Sequence, residues 1–185
     1  MTPRKVYVKA VCAISSGAPD PDFRQILSPM EARRLGRLLK RAFLTSVKAL
    51  ELAGVAVPDA VITATDFGCM ENSEAFLKAL KGIGDEPMRP VHFMQSTHNT
   101  ISSLIAIRLG CHGYNVTYSH KGASWESALL DAYTQISLGD IDTALVGYFD
   151  EKSALCPEDR AESMLLSADA DGALFELERP SICGN

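Results

Sequence analysis

The stretch 116–132, VTYSHKGASWESALLDA, reads as a strand that passes through a glycine turn into a helix. Folds use such turns to present an anion or a nucleophile, because the free amides and dipole of the helix start favour negative charge. A cysteine there has its thiolate stabilised, and a serine is held clear of the sheet. This turn holds Lys121, Gly122 and Ala123 instead. Whether it is an active site, the remains of one or a plain connection depends on the segments around it.

Working outward, residues 5–13 alternate polar and apolar, as a strand does, and DAVITATDFGCM (59–70) is a short apolar strand ending in a small-residue turn. Between them Leu35, Leu38, Leu39, Phe43, Val47 and Leu50 recur every three or four residues, which predicts a helix from Glu31 that stops at Gly54. A second helix is predicted over 72–84, with a capping-box-like Ser73 at its start and a glycine at its end. The segment from Arg89 starts as a short extended piece and becomes a helix from about Thr97 to Leu109, with Gly110 behind it. The quoted stretch itself gives a strand over 115–120 and a helix over 123–138. A core strand follows at 142–151, then a polar loop, then strand-like segments near 163–167 and 172–178. Strands alternating with helices predict an α/β layer sandwich with a mostly parallel sheet and helices on both faces.

The chain has 185 residues, 46% of them hydrophobic, and no linker or low-complexity segment, so one domain over 1–185 is expected. A formal net charge of −5 without a basic block argues against nucleic acid as a ligand. No run approaches the roughly 18 apolar residues of a membrane span. The apolar N-terminal run is broken by Lys9, so no signal peptide is read. The five cysteines, Cys12, Cys69, Cys111, Cys156 and Cys183, are odd in number and lack CxxC spacing. They indicate neither a disulfide framework nor a metal site, and a reducing cytoplasm fits them. The glycines form no phosphate cradle, so no cofactor is expected.

Three polar groups remain as candidates. Around the turn stand Ser119, His120, Lys121 and Ser124; no G-x-S-x-G frame surrounds them, and Ser124 reads as a helix N-cap or first-turn residue. In STHNT (96–100), Thr97 or Asn99 serves as a helix cap and His98 bonds to backbone, unless the patch binds a ligand. Asp66 ends a strand and reads as a turn-forming side chain. The run RRLGRLLKR places Arg33, Arg34, Arg37, Lys40 and Arg41 beside an apolar stripe, either as a solvated helix face or as a docking surface for an acidic protein.

Four ordered segments carry a resemblance: ATDFGCMENSEAFLKAL, PVHFMQSTHNTISSLIAIRLGCHGYNVTYS, ASWESALLDAYTQISLGDIDTALVGYFDE and DADGALFELE. In that order they resemble the N-terminal half of a β-ketoacyl synthase. The resemblance implies a thiolase-like half-fold with a mostly parallel, mixed sheet of five strands. It also places the family's nucleophilic cysteine on Gly122, and the family's catalytic histidines belong to a C-terminal half that these residues do not include. No catalytic residue is then expected, and the chain looks like a cysteine-less, chain-length-factor-like relative. The implied partner is a full-length ketosynthase in a heterodimer, in aryl polyene or flexirubin-like chain extension, with an acyl carrier protein docking on Arg33, Arg34, Arg37, Lys40 and Arg41. Met94, Thr97, His98, Asn99, Thr117, Tyr118, Ser119 and His120 are the implied tunnel and interface residues. Two other readings stand beside this one: a homodimer that binds an acyl chain or carrier protein, and a hydrolase or acyltransferase using Ser119, Ser124 or Cys111.

Overall fold

The computed structural model describes residues 2–82 and 89–182; the glycine stop expected at Gly84 and Cys183 lie outside them. In chain order the elements are β1 (Tyr7–Ile14), α1 (Pro29–Arg34), α2 (Arg37–Ala53), β2 (Ala60–Ala64), α3 (Met70–Leu80), α4 (Pro90–Ser96) and α5 (Thr100–Leu109), then β3 (Tyr114–Tyr118), α6 (Ser124–Leu138), β4 (Thr143–Asp150), β5 (Arg160–Ser167) and β6 (Phe175–Glu176). The strands form one sheet in the order β3-β2-β4-β5-β1-β6.

The α/β class and the two helical faces match the sequence reading, but the sheet differs from it. The described residues hold six strands instead of five, and only β2 with β3 and β2 with β4 run parallel. β5 is antiparallel to both β4 and β1, and β6 is antiparallel to β1. The 151–159 connection has no helix. A chain that returns without a crossover element must pair antiparallel.

Strand alternation divides the core in two. Val61 of β2, with Leu145 and Phe149 of β4, packs against α2 and α5 through Leu39, Phe43, Ile101 and Ile105. Ala60, Ile62 and Ala64, with Val146, face the other way onto Ala128, Ala132 and Ile136 of α6. Those three α6 residues recur every four positions, so one face of the helix meets the sheet.

Three local readings need correction. The extended piece expected after Arg89 is a helix, α4, with Pro90 in its first turn, where a missing N–H costs nothing. The helix at 72–84 starts earlier, at Met70, and Ser73 bonds to the Cys69 carbonyl inside it. The helix expected from Glu31 is split: α1 opens on a Ser28–Glu31 capping box, Leu35 turns extended, and α2 restarts after Gly36.

That split reassigns the basic run. Arg33 and Arg34 end α1 and are exposed, whereas Arg41 is 1% exposed. Its guanidinium bonds to Asp20 at 2.6 Å, the Ala18 carbonyl at 2.8 Å and Asp159 at 3.5 Å. Arg37 reaches the same two aspartates, at 3.2 and 3.1 Å. Arg41 is therefore no docking residue; it pins two long loops onto α2. Arg41→Ala would remove the buried guanidinium that joins Asp20, Ala18 and Asp159, leave Asp159 to Arg37 and the Lys152 amide, and cost about 1–3 kcal/mol of unfolding free energy in a denaturant titration. Arg33→Ala and Arg34→Ala should stay within about 0.5 kcal/mol of the parent.

Candidate functional site

The loops at the C-terminal ends of β2, β3 and β4 converge, and two carboxylates tie them together. Asp150, 3% exposed at the end of β4, accepts from Thr65 Oγ1 at 2.7 Å and from the backbone amides of Asp66, Phe67 and Gly68 at 3.0, 2.8 and 2.9 Å. It cages the turn that joins β2 to α3. Asp66 points away from that turn: it accepts from Tyr148 Oη at 2.8 Å and from Ser124 Oγ at the start of α6. Ser124 Oγ also accepts from the His120 amide at 2.9 Å. The turn-forming role expected of Asp66 thus falls to Asp150, and Asp66 bridges two elements. Burial first, then the bond to Asp66, keeps the Tyr148 hydroxyl protonated well above its ordinary range.

This network holds the turn that opened the sequence reading. Lys121 and Gly122 have positive φ, +31° and +35°. A Cβ on Gly122 would meet no atom within 4 Å. Space for a side chain is present, then, but the backbone is in the region that L residues avoid. The position itself carries no side-chain atom. Ser124 is buried at 1% exposure with its oxygen already shared between Asp66 and His120. Cys111 is buried at the opposite end of β3 and donates to the Pro58 carbonyl at 3.2 Å. Ser119 and His120 lie beyond β3, which ends at Tyr118 and not at residue 120, and both are exposed.

β3 is the edge of the sheet. Asn115 and Thr117 face α5: Thr117 Oγ1 bonds to Thr63 and Ser102 hydroxyls at 2.8 Å each, and Asn115 donates to the Ser102 carbonyl at 3.1 Å. Val116 and Tyr118 face α6. Burial and then the Asp131 carboxylate push the Tyr118 hydroxyl up to about 12. Thr117, Tyr118, Ser119 and His120 line one shallow groove of about 580 Å³ with Leu130 and Asp131.

The remaining candidates separate from that groove. Thr97, His98 and Asn99 form the exposed turn between α4 and α5. The imidazole of His98 lies over Gly68, where a Cβ would stand 2.7 Å from Nδ1. Asn99 holds the N-cap position of α5 without a side-chain cap, and Thr97 Oγ1 bonds to Thr100 Oγ1 at 2.7 Å. Met94 opens into a different cleft, which it shares with Arg33 and Arg34. Asp66, Tyr148 and Asp150 went unread as a set, because Asp66 follows β2 while Tyr148 and Asp150 stand on β4, and only the parallel register of β2 and β4 brings them together.

With this geometry in place, the comparisons can be stated. Residues 2–159 match the model of the β-ketoacyl synthase N-terminal domain, and the chain belongs to that family. No protein with a curated description matches it by sequence. Among solved structures it is similar to the ishigamide ketosynthase/chain length factor, with TM-score 0.77 and 19% identity over 92% of this chain and 61% of that one. It is also similar to a structure of the ketosynthase ApeO in complex with its chain length factor ApeC from Xenorhabdus doucetiae, with TM-score 0.70 and 20% identity over 88% and 79% of the two chains. A third is a type II PKS acyl-carrier protein in complex with its ketosynthase, with TM-score 0.75 and 16% identity over 89% and 63%. The chain spans about three fifths of the first of these.

The site has a chemical signature. Cys69 is 2% exposed, and burial followed by the Glu151 carboxylate pushes its thiol up to about 12. A thiolate is needed for alkylation, so iodoacetamide at pH 8 should leave Cys69 unmodified in the folded protein. In Gly122→Cys the new thiol should be the first to react, read by peptide mass spectrometry. Ser124→Ala should cost about 1–3 kcal/mol, since it removes one of the two side-chain donors to Asp66 and the acceptor of the His120 amide.

Proposed function

We propose that this chain is a noncatalytic, chain-length-factor-like subunit that pairs with an active β-ketoacyl synthase during carrier-bound acyl chain extension. The observation that carries the reading is Gly122: a family scaffold, braced by Asp66, Ser124 and Asp150, surrounds a nucleophile position that has no side chain. The partner supplies the cysteine and the histidines. Its docking edge is β3, whose outer side has no neighbouring strand among the described residues. Unpaired edge amides and carbonyls are a template for another strand. The groove at Thr117–His120 and the turn at Thr97–Asn99 flank that edge and would shape the acyl path.

Kinship with structures of ketosynthase–chain length factor assemblies, ApeO with ApeC among them, supports the pairing; an aryl polyene or flexirubin-like extension is the context proposed for it. The carrier protein would meet Arg33 and Arg34, which are exposed and free of Arg41's structural duty. No described helix is long and apolar enough to cross a membrane, which accords with work in the cytoplasm on a soluble carrier. The homodimer is the second reading, favoured by the same open edge.

Light scattering on size-exclusion fractions separates the two readings. Co-expressed with a full-length ketosynthase from the same genome, the chain is expected to elute as a one-to-one complex. Condensing activity should require both chains and the partner's cysteine. A homodimer that ignores every ketosynthase, or a covalent acyl adduct on the isolated chain, would overturn the proposal.

A further inference from the structure

Asp131 of α6 lies beside the edge strand with one oxygen unmet. Its Oδ1 accepts from Gln135 Nε2 at 2.9 Å, whereas its Oδ2 is buried and has no hydrogen-bond partner. Burial and then this carboxylate push the Tyr114 and Tyr118 hydroxyls up, so the charge stands close to both tyrosines of β3. Val116, halfway between them, also packs toward α6. No lysine or arginine is among the described residues that line the groove around Asp131. A carboxylate oxygen left buried without a donor is costly, and a strand docking on the edge would exclude the remaining water around it.

β3 has its outer side open to such a strand, and two kinds of strand differ in what they bring. A copy of β3 that pairs antiparallel over its whole length sets Tyr114 against Tyr118 and Val116 against Val116, with the two-fold axis at the middle residue. Both copies of α6 then lie on the same face of the joined sheet, and the two Asp131 carboxylates approach one another across the axis. The copy's nearest basic side chains along the chain, His112, His120 and Lys121, start four or five residues from that axis, on the order of 13 Å along the strand. Its α6 has no basic residue. Self-pairing thus adds a like charge and no cation. A different strand, with an arginine or lysine on the side that faces α6, meets Oδ2 with a charge-assisted hydrogen bond.

We propose that Asp131 selects the chain that docks on β3: it accepts from an arginine or lysine of a non-identical strand and opposes the pairing of two copies of this chain. Discrimination of this kind combines a bond to the right partner with a penalty against the wrong one. The proposal rests on the pairing described under the function above and adds the residue that chooses heterodimer over homodimer.

Two measurements test it: sedimentation equilibrium of the full chain alone, and titration of the full chain with a full-length ketosynthase from the same genome. Asp131→Asn removes the charge but keeps an acceptor for Gln135 and nearly the same volume. It should strengthen self-association and weaken the ketosynthase complex, each roughly tenfold, the scale of one hydrogen bond to a charged group. Its thermal midpoint should equal or exceed the parent's, because an unpartnered buried charge is lost. Asp131→Glu, which keeps the carboxylate, should self-associate no more than the parent and hold more ketosynthase affinity than Asp131→Asn. Asp140→Asn, which removes the same charge from an exposed position beyond α6, should change neither association. Unchanged self-association in Asp131→Asn, a parent that self-pairs as tightly as that variant, or loss of both associations together would each overturn the proposal. If the parent binds no ketosynthase, the subunit reading falls and the self-association arm alone decides Asp131. Unchanged self-association beside an intact heterodimer would remove Asp131 and spare the subunit reading.

Discussion

The arrangement of this protein's functional end depends on one buried carboxylate. Asp150 leaves β4 and accepts four donors from residues 65–68, so the turn after β2 has a single geometry. Three of those donors are backbone amides that would otherwise be buried without a partner, at a cost of about 1–3 kcal/mol each. Because Asp150 occupies those amides, the Asp66 carboxylate is free to cross to α6 and brace Ser124. The positive-φ turn at Lys121 and Gly122 is held by that brace.

At the same end of the sheet, the helix start, the turn and the parallel strands are in place, and Gly122 leaves open space where a side chain would stand. Sheet edges are commonly short, charged or covered, and β3 has no strand on its outer side among the described residues. Its Thr117 hydroxyl already bonds to Thr63 and Ser102, so what the edge leaves open is main chain and the Tyr114–Tyr118 face.

Much of this was legible in the residues. The apolar periods of α2 and α6, the glycine stops at Gly54, Gly110 and Gly139, and the ordered family segments led to the fold and to Gly122. Local patterns failed where a distant contact overrode them. The basic run looked like one helix face, yet Leu35 and Gly36 break it because Gln95 takes up the Arg34 carbonyl and the Gly36 amide. Arg41 looked solvated but is buried, since Asp20 and Asp159 come to it from loops 21 and 118 residues away.

By itself, the sequence determined much of what depends on spacing along the chain: the long helices, the core strands and the apolar face of each, though neither the helical state of α4 nor the break before α2. The tertiary structure alone decided which polar groups meet. Hydrogen bonds and ion pairs act over about 3 Å, whereas Asp66 and Tyr148, or Asp150 and Thr65, are more than eighty residues apart. Only the register of β2 against β4 closes that distance, and register is a property of the folded sheet.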